Sequence, residues 1–259
     1  MHELEGRRIG LGYTYVLIDF DALHLSDNDL AEVVILAQSL GFAGLNVTYP
    51  FKQAVIPLLD DLAPEAAAIG AANTVVFAAG KRIGHNTDSW GFAESFREGL
   101  GAADLRAVVQ FGAGGAGAAV GHALLSLGAK ALTLCETDMS RAQALAQRLS
   151  ERFGIMVQVD MDPSSAIEGA AGIVNTTPIG MDKFPGVPFD ASLLRPTLWV
   201  ADVIYFPSET ALLSKARKLG CRTLAGTGMA VYQAVKAFEL FTGIAPDRAA
   251  MTAHFQVAA

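Results

Sequence analysis

The stretch AVVQFGAGGAGAAVGHALLSLGAKALTLCE (107–136) decides the fold. An apolar strand, AVVQF, runs into a glycine turn that reads GxGxxG through Gly112, Gly114 and Gly117. A helix of small residues follows to about Gly128, and the next apolar run ends at Glu136, 19 residues after Gly117. Glycines at these places let the chain turn tightly and let a pyrophosphate approach the backbone. The helix N-terminus behind them offers free N–H groups and the positive end of its dipole. Strand, turn, helix, strand and acid in this order are the pattern of a dinucleotide-binding βαβ unit. The turn residues Gly112, Ala113, Gly114, Gly115, Ala116 and Gly117 are therefore the candidate cofactor cradle.

Glu136 can accept hydrogen bonds from the adenosine ribose hydroxyls, whereas a 2′-phosphate of roughly −1.5 to −2 charge would be repelled by it. The expected cofactor is NAD rather than NADP. Arg141, in the first turns of the next helix, is the residue that could instead swing toward a phosphate.

Working outward, a helical pattern covers Ser140 to about Phe153, and the runs MVQV, GIVNT and LWVADVI continue the strand series. Upstream, YTYVLIDF (13–20), GLNVT and NTVVF alternate with the helical patterns SDNDLAEVVILAQSLGF and FKQAVIPLLDDL, which predicts a mostly parallel sheet with crossover helices there too. The fold class is α/β, with two α/β domains joined near FREGLGAADLR (96–106). After RTLAG the pattern is helical, from Met229 to Phe241 and again from Pro246.

Hydrophobic residues make up 52% of the 259 positions and charged residues 17%, which excludes a disordered chain. A formal net charge of −7 leaves no broad basic surface for nucleic acid. No run is long and apolar enough for a membrane helix, MHELEGRRIG has no apolar h-region, and Cys135 and Cys221 form no CxxC pair. A cytoplasmic location is expected. None of His2, His24, His85, His122 and His254 falls at a metal-ligand spacing, so no metal is expected.

Two polar clusters lie where strands should end: NVTYPFK, with Asn46, Thr48 and Lys52, and GHNTD, with Asn86, Thr87 and Asp88. Asn73 lies between them in IGAANTV. Hydride transfer at a carbinol carbon needs a group that moves the hydroxyl proton, and a lysine beside a carboxylate can do so. Asparagines and threonines hold a polyhydroxylated ring through directed, uncharged contacts. Taken one at a time, Lys52 reads equally as a solvated charge opening a helix, Asp88 as a helix cap, and Asn73 and Asn86 as turn residues.

GLNVTYPFK (44–52), IGAANTV (69–75), GHNTDSWGF (84–92), GAGGAGAAV (112–120), NTTPIGM (175–181), ADVIYFPSETALL (201–213) and GTGMAVYQAVKAFELFTG (226–243) together resemble the shikimate dehydrogenase family, in its order and roughly its spacing. The resemblance implies a substrate-binding domain at 1–100 completed by 228–259, a Rossmann domain at 101–227, and a cleft holding the reaction. It implies Lys52 and Asp88 as the catalytic pair; Thr48, Asn73, Asn86 and Gln233 as substrate ligands, with Tyr205 beside the substrate; and Gly226 near the nicotinamide, with Thr176 as a further cofactor residue. Family members that use NADP carry an arginine just after the second Rossmann strand. CETDMSR (135–141) has Glu136 or Thr137 there, and so resembles the NAD-preferring quinate/shikimate branch. The expected activity is hydride transfer between the cofactor and a ring hydroxyl or ketone of a small hydroxy acid, shikimate or quinate, in a monomer or homodimer. An NADP-dependent shikimate dehydrogenase and a non-catalytic nucleotide-sensing relative are the alternatives. The family's opening strand and its Ser-x-Ser or Ser-x-Thr carboxylate clamp are absent. The sequence opens on MHELEG, which resembles the helix after that motif, so Met1 is expected not to be the natural start.

Overall fold

The computed structural model describes residues 1–258, which fall into two compact units. In unit 1 the chain forms α1 (His2–Arg8), α2 (Leu30–Ser39), β1 (Gly44–Asn46), β2 (Asp61–Leu62), α3 (Pro64–Ile69), β3 (Thr74–Ala78) and β4 (Lys81–His85). Unit 2 then contributes α4 (Asp88–Leu100), β5 (Val108–Phe111), α5 (Gly115–Ser126), β6 (Leu132–Cys135), α6 (Met139–Phe153), β7 (Gln158–Val159), α7 (Pro163–Glu168), β8 (Gly172–Asn175), β9 (Trp199–Asp202), α8 (Ala211–Lys218) and β10 (Arg222–Leu224). Helix α9 (Thr227–Thr242) crosses back into unit 1, where α10 (Arg248–Ala258) closes the described chain.

The units are Met1–Thr87 with Val231–Ala259, and Asp88–Ala230, so the divisions fall at 87/88 and 230/231 rather than at 100/101 and 227/228. The first shift has a plain cause. Helix α4 packs against α5 and β10, and so belongs with the second sheet.

In unit 2 six strands stand in the order β10-β9-β8-β5-β6-β7, every pair parallel. Strands β5, β8 and β9 are buried along their whole length, as expected of a sheet covered on both faces. This is the Rossmann-like arrangement that the glycine turn predicted. Chain order reverses between β5 and β8, the place where open α/β sheets bind ligands.

Unit 1 departs from expectation. Its sheet, β1-β3-β4-β2, is antiparallel at β1/β3 and β3/β4 and parallel only at β2/β4, so the mostly parallel sheet predicted for this half is corrected. The reason is a hairpin: Ala79 and Gly80 both take positive φ (51° and 77°), the backbone of a two-residue turn whose twist fits adjacent antiparallel strands. The predicted strand at 13–20 makes no ladder; Leu17 is 79% exposed, while Phe20 packs on Phe51 at 4.5 Å and Tyr13 stacks on the buried Phe238 at 5.2 Å. The predicted helix at FKQAVIPLLDDL is a run of turns with one 3-10 turn at Ile56–Leu58. Pro57 supplies no N–H for a longer helix and crowds the preceding turn. Helix α2 forms as read, led in by a 3-10 turn at Asp27–Asp29 on which Ser26 and Asp29 make reciprocal capping bonds, and Gly41, at φ 82°, follows its end.

The start of unit 2's sheet is set by one close packing. Gly172 pairs with Trp199 across β8 and β9, and a methyl on Gly172 would overlap the indole ring. That ring cannot retreat easily: its Nε1 donates to the Asp104 carbonyl at 2.8 Å, and Phe96 meets it edge-on at 5.2 Å. Gly172→Ala should cost about 1 to 3 kcal/mol through overpacking. Thermal unfolding followed by circular dichroism should show a midpoint lower by several degrees, at about 2 to 4 °C per kcal/mol for a protein of this size. An unchanged midpoint would mean that the indole swings aside at no cost.

Candidate functional site

At the carboxyl edge of the six-stranded sheet, five loops carry predicted residues. The glycine turn follows β5, Glu136 follows β6, Thr176 follows β8, Tyr205 follows β9 and Gly226 follows β10. The turn has one conformation open to it. A Cβ on Gly112, where φ is 98°, would press on Thr176, and one on Gly117 would overlap the Gly112 carbonyl. Gly114, by contrast, faces open space and precedes α5 without any side-chain cap. An uncapped N-terminus of a 12-residue helix, beside a glycine with room over it, fits a dinucleotide pyrophosphate.

Two side chains fix this turn. Gln110, fully buried in β5, donates from Nε2 to the carbonyls of Gly112 (2.8 Å) and Gly117 (2.9 Å). Thr176 donates from Oγ1 to the carbonyls of Phe111 (2.7 Å) and Gly112 (3.1 Å). The sequence reading gave Gln110 no role, although a lone amide in the run AVVQF was the available signal.

Glu136 lies against the same turn. Its Oε2 accepts from the Ala113 N–H at 2.9 Å, and its Oε1 accepts from the N–H (2.8 Å) and hydroxyl (3.0 Å) of Thr137 and from the Asp138 N–H (3.3 Å). Burial opposes its charge, but these bonds outweigh burial and hold the carboxyl below the usual glutamate range, so it is ionised at neutral pH. Arg141 is half exposed and lies between two acids, with Nη1 3.9 Å from Glu136 and Nη2 3.5 Å from Asp138. Its N–H meets the Asp138 side chain, which caps α6.

Beyond β8 and β9 the loops are tied together by Asp202, an acid to which the sequence reading assigned no role. Its carboxylate accepts from Thr210 Oγ1 (2.7 Å), Asn175 Nδ2 (3.1 Å) and the Ile204 N–H (3.1 Å). Asn175 in turn donates to the Ile179 carbonyl and accepts from the Thr177 hydroxyl, which shapes NTTPIGM. Tyr205, beside this knot, is 51% exposed. Gly226 touches the carbonyls of Val203 and Ile204 where any side chain would stand.

In unit 1, three segments converge on Asn73. Its Oδ1 accepts from the Thr87 N–H (2.8 Å) and the Thr74 hydroxyl (3.2 Å), and its Nδ2 donates to the Thr87 hydroxyl (2.9 Å). Its own carbonyl accepts from the Val47 N–H (2.7 Å), next to the exposed Thr48, and the Lys52 carbonyl accepts from the Ala72 N–H (2.8 Å). Asn86 is buried and donates to the Ala71 carbonyl (2.9 Å). Thr48, Lys52, Asn73 and Asn86 are thus carried on neighbouring segments of one sheet end, while Asp88, also buried, opens α4 as the next residue after Thr87. Gln233, on α9, lines a cavity of about 500 Å3 in unit 1 together with His2, Arg7, Tyr15 and Asn46. Arg7 and Tyr15 had no sequence signal, because only folding brings them to Gln233. No helix among the described residues is long and apolar enough to cross a membrane.

Asp202 also gives a pH dependence. Burial, only partly offset by its three hydrogen bonds, pushes its carboxyl up to about 6 from 3.8. Between those values the folded chain holds a proton that the unfolded chain releases, so the stability this group contributes is full below about 4 and is lost as pH rises to about 6. Asp202→Asn lacks this titration. Urea unfolding of the two proteins across that window should show the stability of the native protein relative to the variant falling as pH rises; a constant difference would assign Asp202 an ordinary acidity.

The chain is similar to known proteins along most of its length. Residues 1–75 match the family model described as shikimate dehydrogenase substrate binding domain, and residues 226–254 match that described as shikimate 5′-dehydrogenase C-terminal domain. A shikimate dehydrogenase (NADP(+)) of Streptomyces avermitilis is 53% identical over 256 residues, covering 98% of this chain and 88% of its own. A quinate/shikimate dehydrogenase (NAD(+)) of Corynebacterium efficiens is 48% identical over 259 residues, covering 98% and 91%. The solved quinate dehydrogenase from Corynebacterium glutamicum in complex with NAD superposes with a TM-score of 0.90 at 46% identity, covering 100% of this chain and 93% of that one. The chain belongs to the shikimate dehydrogenase family.

Proposed function

We propose that this protein is a nicotinamide-dependent oxidoreductase that interconverts a ring hydroxyl and ketone of shikimate or quinate, with NAD as the preferred cofactor. The observation that carries the reading is the convergence of Thr48, Lys52, Asn73 and Asn86 on one sheet end, in a chain whose other unit presents a glycine turn backed by an ionised Glu136. When bound, the cofactor accepts or returns the hydride. In the oxidising direction Lys52 takes the hydroxyl proton as the carbonyl forms, and in reduction it returns it, with Asp88 as its partner in handling the proton. Thr48, Asn73 and Asn86 orient the ring, and Gly112 to Gly117, with Ala113, Gly115 and Ala116, receive the pyrophosphate. Thr176 keeps that turn in shape, Tyr205 flanks the substrate, and Gly226 leaves room for the nicotinamide. A rate assay following reduced nicotinamide absorbance, with shikimate and quinate each crossed with NAD and NADP, tests the reading. Turnover of neither acid with either cofactor would overturn it.

Loss of the proton-transfer group acts mainly on the transition state, so Lys52→Ala should lower kcat on the order of 10² to 10⁴ while KM moves little. A change confined to KM would reassign Lys52 to binding.

Cofactor choice is read at Glu136, whose charge meets ribose hydroxyls favourably and a 2′-phosphate unfavourably. Arg141 favours NADP as a second reading, since it stands 3.9 Å from Glu136 and is half exposed. Its charge is shared between Glu136 and Asp138, which supports NAD. Glu136→Ala should shrink the ratio of kcat/KM for NAD over NADP by about tenfold, one charge-assisted hydrogen bond in size. A native enzyme that works faster with NADP would reverse the assignment.

A further inference from the structure

We propose that Gln110, fully buried in β5, is a positioning residue for cofactor choice: through a single peptide unit it aims the Glu136 carboxylate. The proposal deepens the NAD reading above and rests on it.

The peptide between Gly112 and Ala113 is held at both of its polar ends. Its carbonyl accepts from Gln110 Nε2 at 2.8 Å and from Thr176 Oγ1 at 3.1 Å. Its N–H, that of Ala113, donates to Glu136 Oε2 at 2.9 Å. In a trans peptide the C=O and N–H point in opposite directions within one plane, so a side chain that fixes the carbonyl also fixes the line along which the N–H donates. Gln110 grips a second carbonyl, that of Gly117 at 2.9 Å, so its amide is not free to follow the first if the turn shifts.

Packing gives no reason for an amide at this place. Gln110 Oε1 is buried with no hydrogen-bond partner among the described residues, and it stands 3.3 Å from where a methyl on Gly121 would lie. Methionine has nearly the same length and would fill the space without an orphaned acceptor. The glutamine serves the two carbonyls.

At the other end of the relay, the two carboxylate oxygens of Glu136 differ. Oε1 accepts from three donors of its own loop, the N–H and hydroxyl of Thr137 and the Asp138 N–H. Oε2 accepts from the Ala113 N–H, and Arg141 Nη1 stands 3.9 Å from it. While the Gly112–Ala113 peptide is fixed, Oε2 stays on the turn, and its remaining acceptor capacity is what a ribose hydroxyl can use. If the peptide tilts, Oε2 is released to the guanidinium, which offsets the charge that favours ribose hydroxyls and opposes a 2′-phosphate. The turn serves the pyrophosphate that NAD and NADP share, and Glu136 serves the ribose by which they differ. Gln110 acts on the second through the first.

The test reads binding without turnover, by calorimetric titration of NAD and of NADP into the native chain, Gln110→Met, Glu136→Ala and the double variant. Gln110→Met should lower the ratio of the NADP Kd to the NAD Kd about threefold, the size of one neutral hydrogen bond, with Thr176 still on the same carbonyl. On the Glu136→Ala background the same substitution should leave the ratio unchanged, because the route to the ribose is gone. Equal weakening of both nucleotides would make Gln110 a support of the turn only, and an equal fall of the ratio on both backgrounds would make it act by another route; either result overturns the proposal. Should Gln110→Met fail to fold by circular dichroism, Thr176→Val removes the other donor to that carbonyl and carries the same test, with the same results expected and the same results overturning it. A native chain that favours NADP overturns the NAD reading alone, since the proposal is judged on the change in the ratio. A native chain that binds neither nucleotide overturns both.

Discussion

Between β5 and α5 the chain must reverse within three residues while leaving its backbone bare to a ligand. Two places in that turn have no room for a Cβ, at Gly112 against Thr176 and at Gly117 against the Gly112 carbonyl. Gln110 and Thr176 then hold the turn's carbonyls from below, and the Gly112 amide donates to the Cys135 carbonyl, ahead of the amides of Ala113 and the start of α5. Glu136 uses one of those amides, that of Ala113, to fix its own carboxylate at the end of β6. The glycine turn and Glu136 are therefore one hydrogen-bonded assembly, and a change in the turn would move both. The two buried side chains that hold it are polar within otherwise apolar strand ends, and Gln110 holds through Nε2 alone, its Oε1 having no hydrogen-bond partner among the described residues.

The polar end of unit 1 is organised by the same economy of buried amides. Asn73 satisfies its side-chain oxygen and nitrogen on Thr87 and Thr74 and its backbone on Val47 and His85, so three segments distant in sequence have one register. Thr48, Lys52 and Asn86 ride on those segments. Rigid support of this kind allows a short, partly exposed loop to present side chains reproducibly, since the entropy of ordering the loop is borne by the buried network. In unit 2, Asp202 has the corresponding place, joining the loops after β8 and β9 at the expense of a carboxylate held in a buried site.

What the sequence determined by itself was local. Strand, turn and helix at 107–136, the acid at 136 and the series of short apolar runs down to RTLAG were legible because they are set by side-chain periodicity and by glycine stereochemistry within a few residues. The polar motifs NVTYPFK, IGAANTV and GHNTD were legible for the same reason, as unusual residue types at strand ends. Tertiary structure alone decided which strands had partners. YTYVLIDF has strand composition, yet it forms no ladder because no neighbouring strand pairs with it, and β3 and β4 made the sheet antiparallel through a two-residue turn. It alone brought Arg7 and Tyr15 from one end of the chain to Gln233 at the other, and turned Gln110 and Asp202 from single polar residues in apolar runs into the supports of a site. Such pairings depend on which surfaces meet after the chain folds, and no local pattern records that.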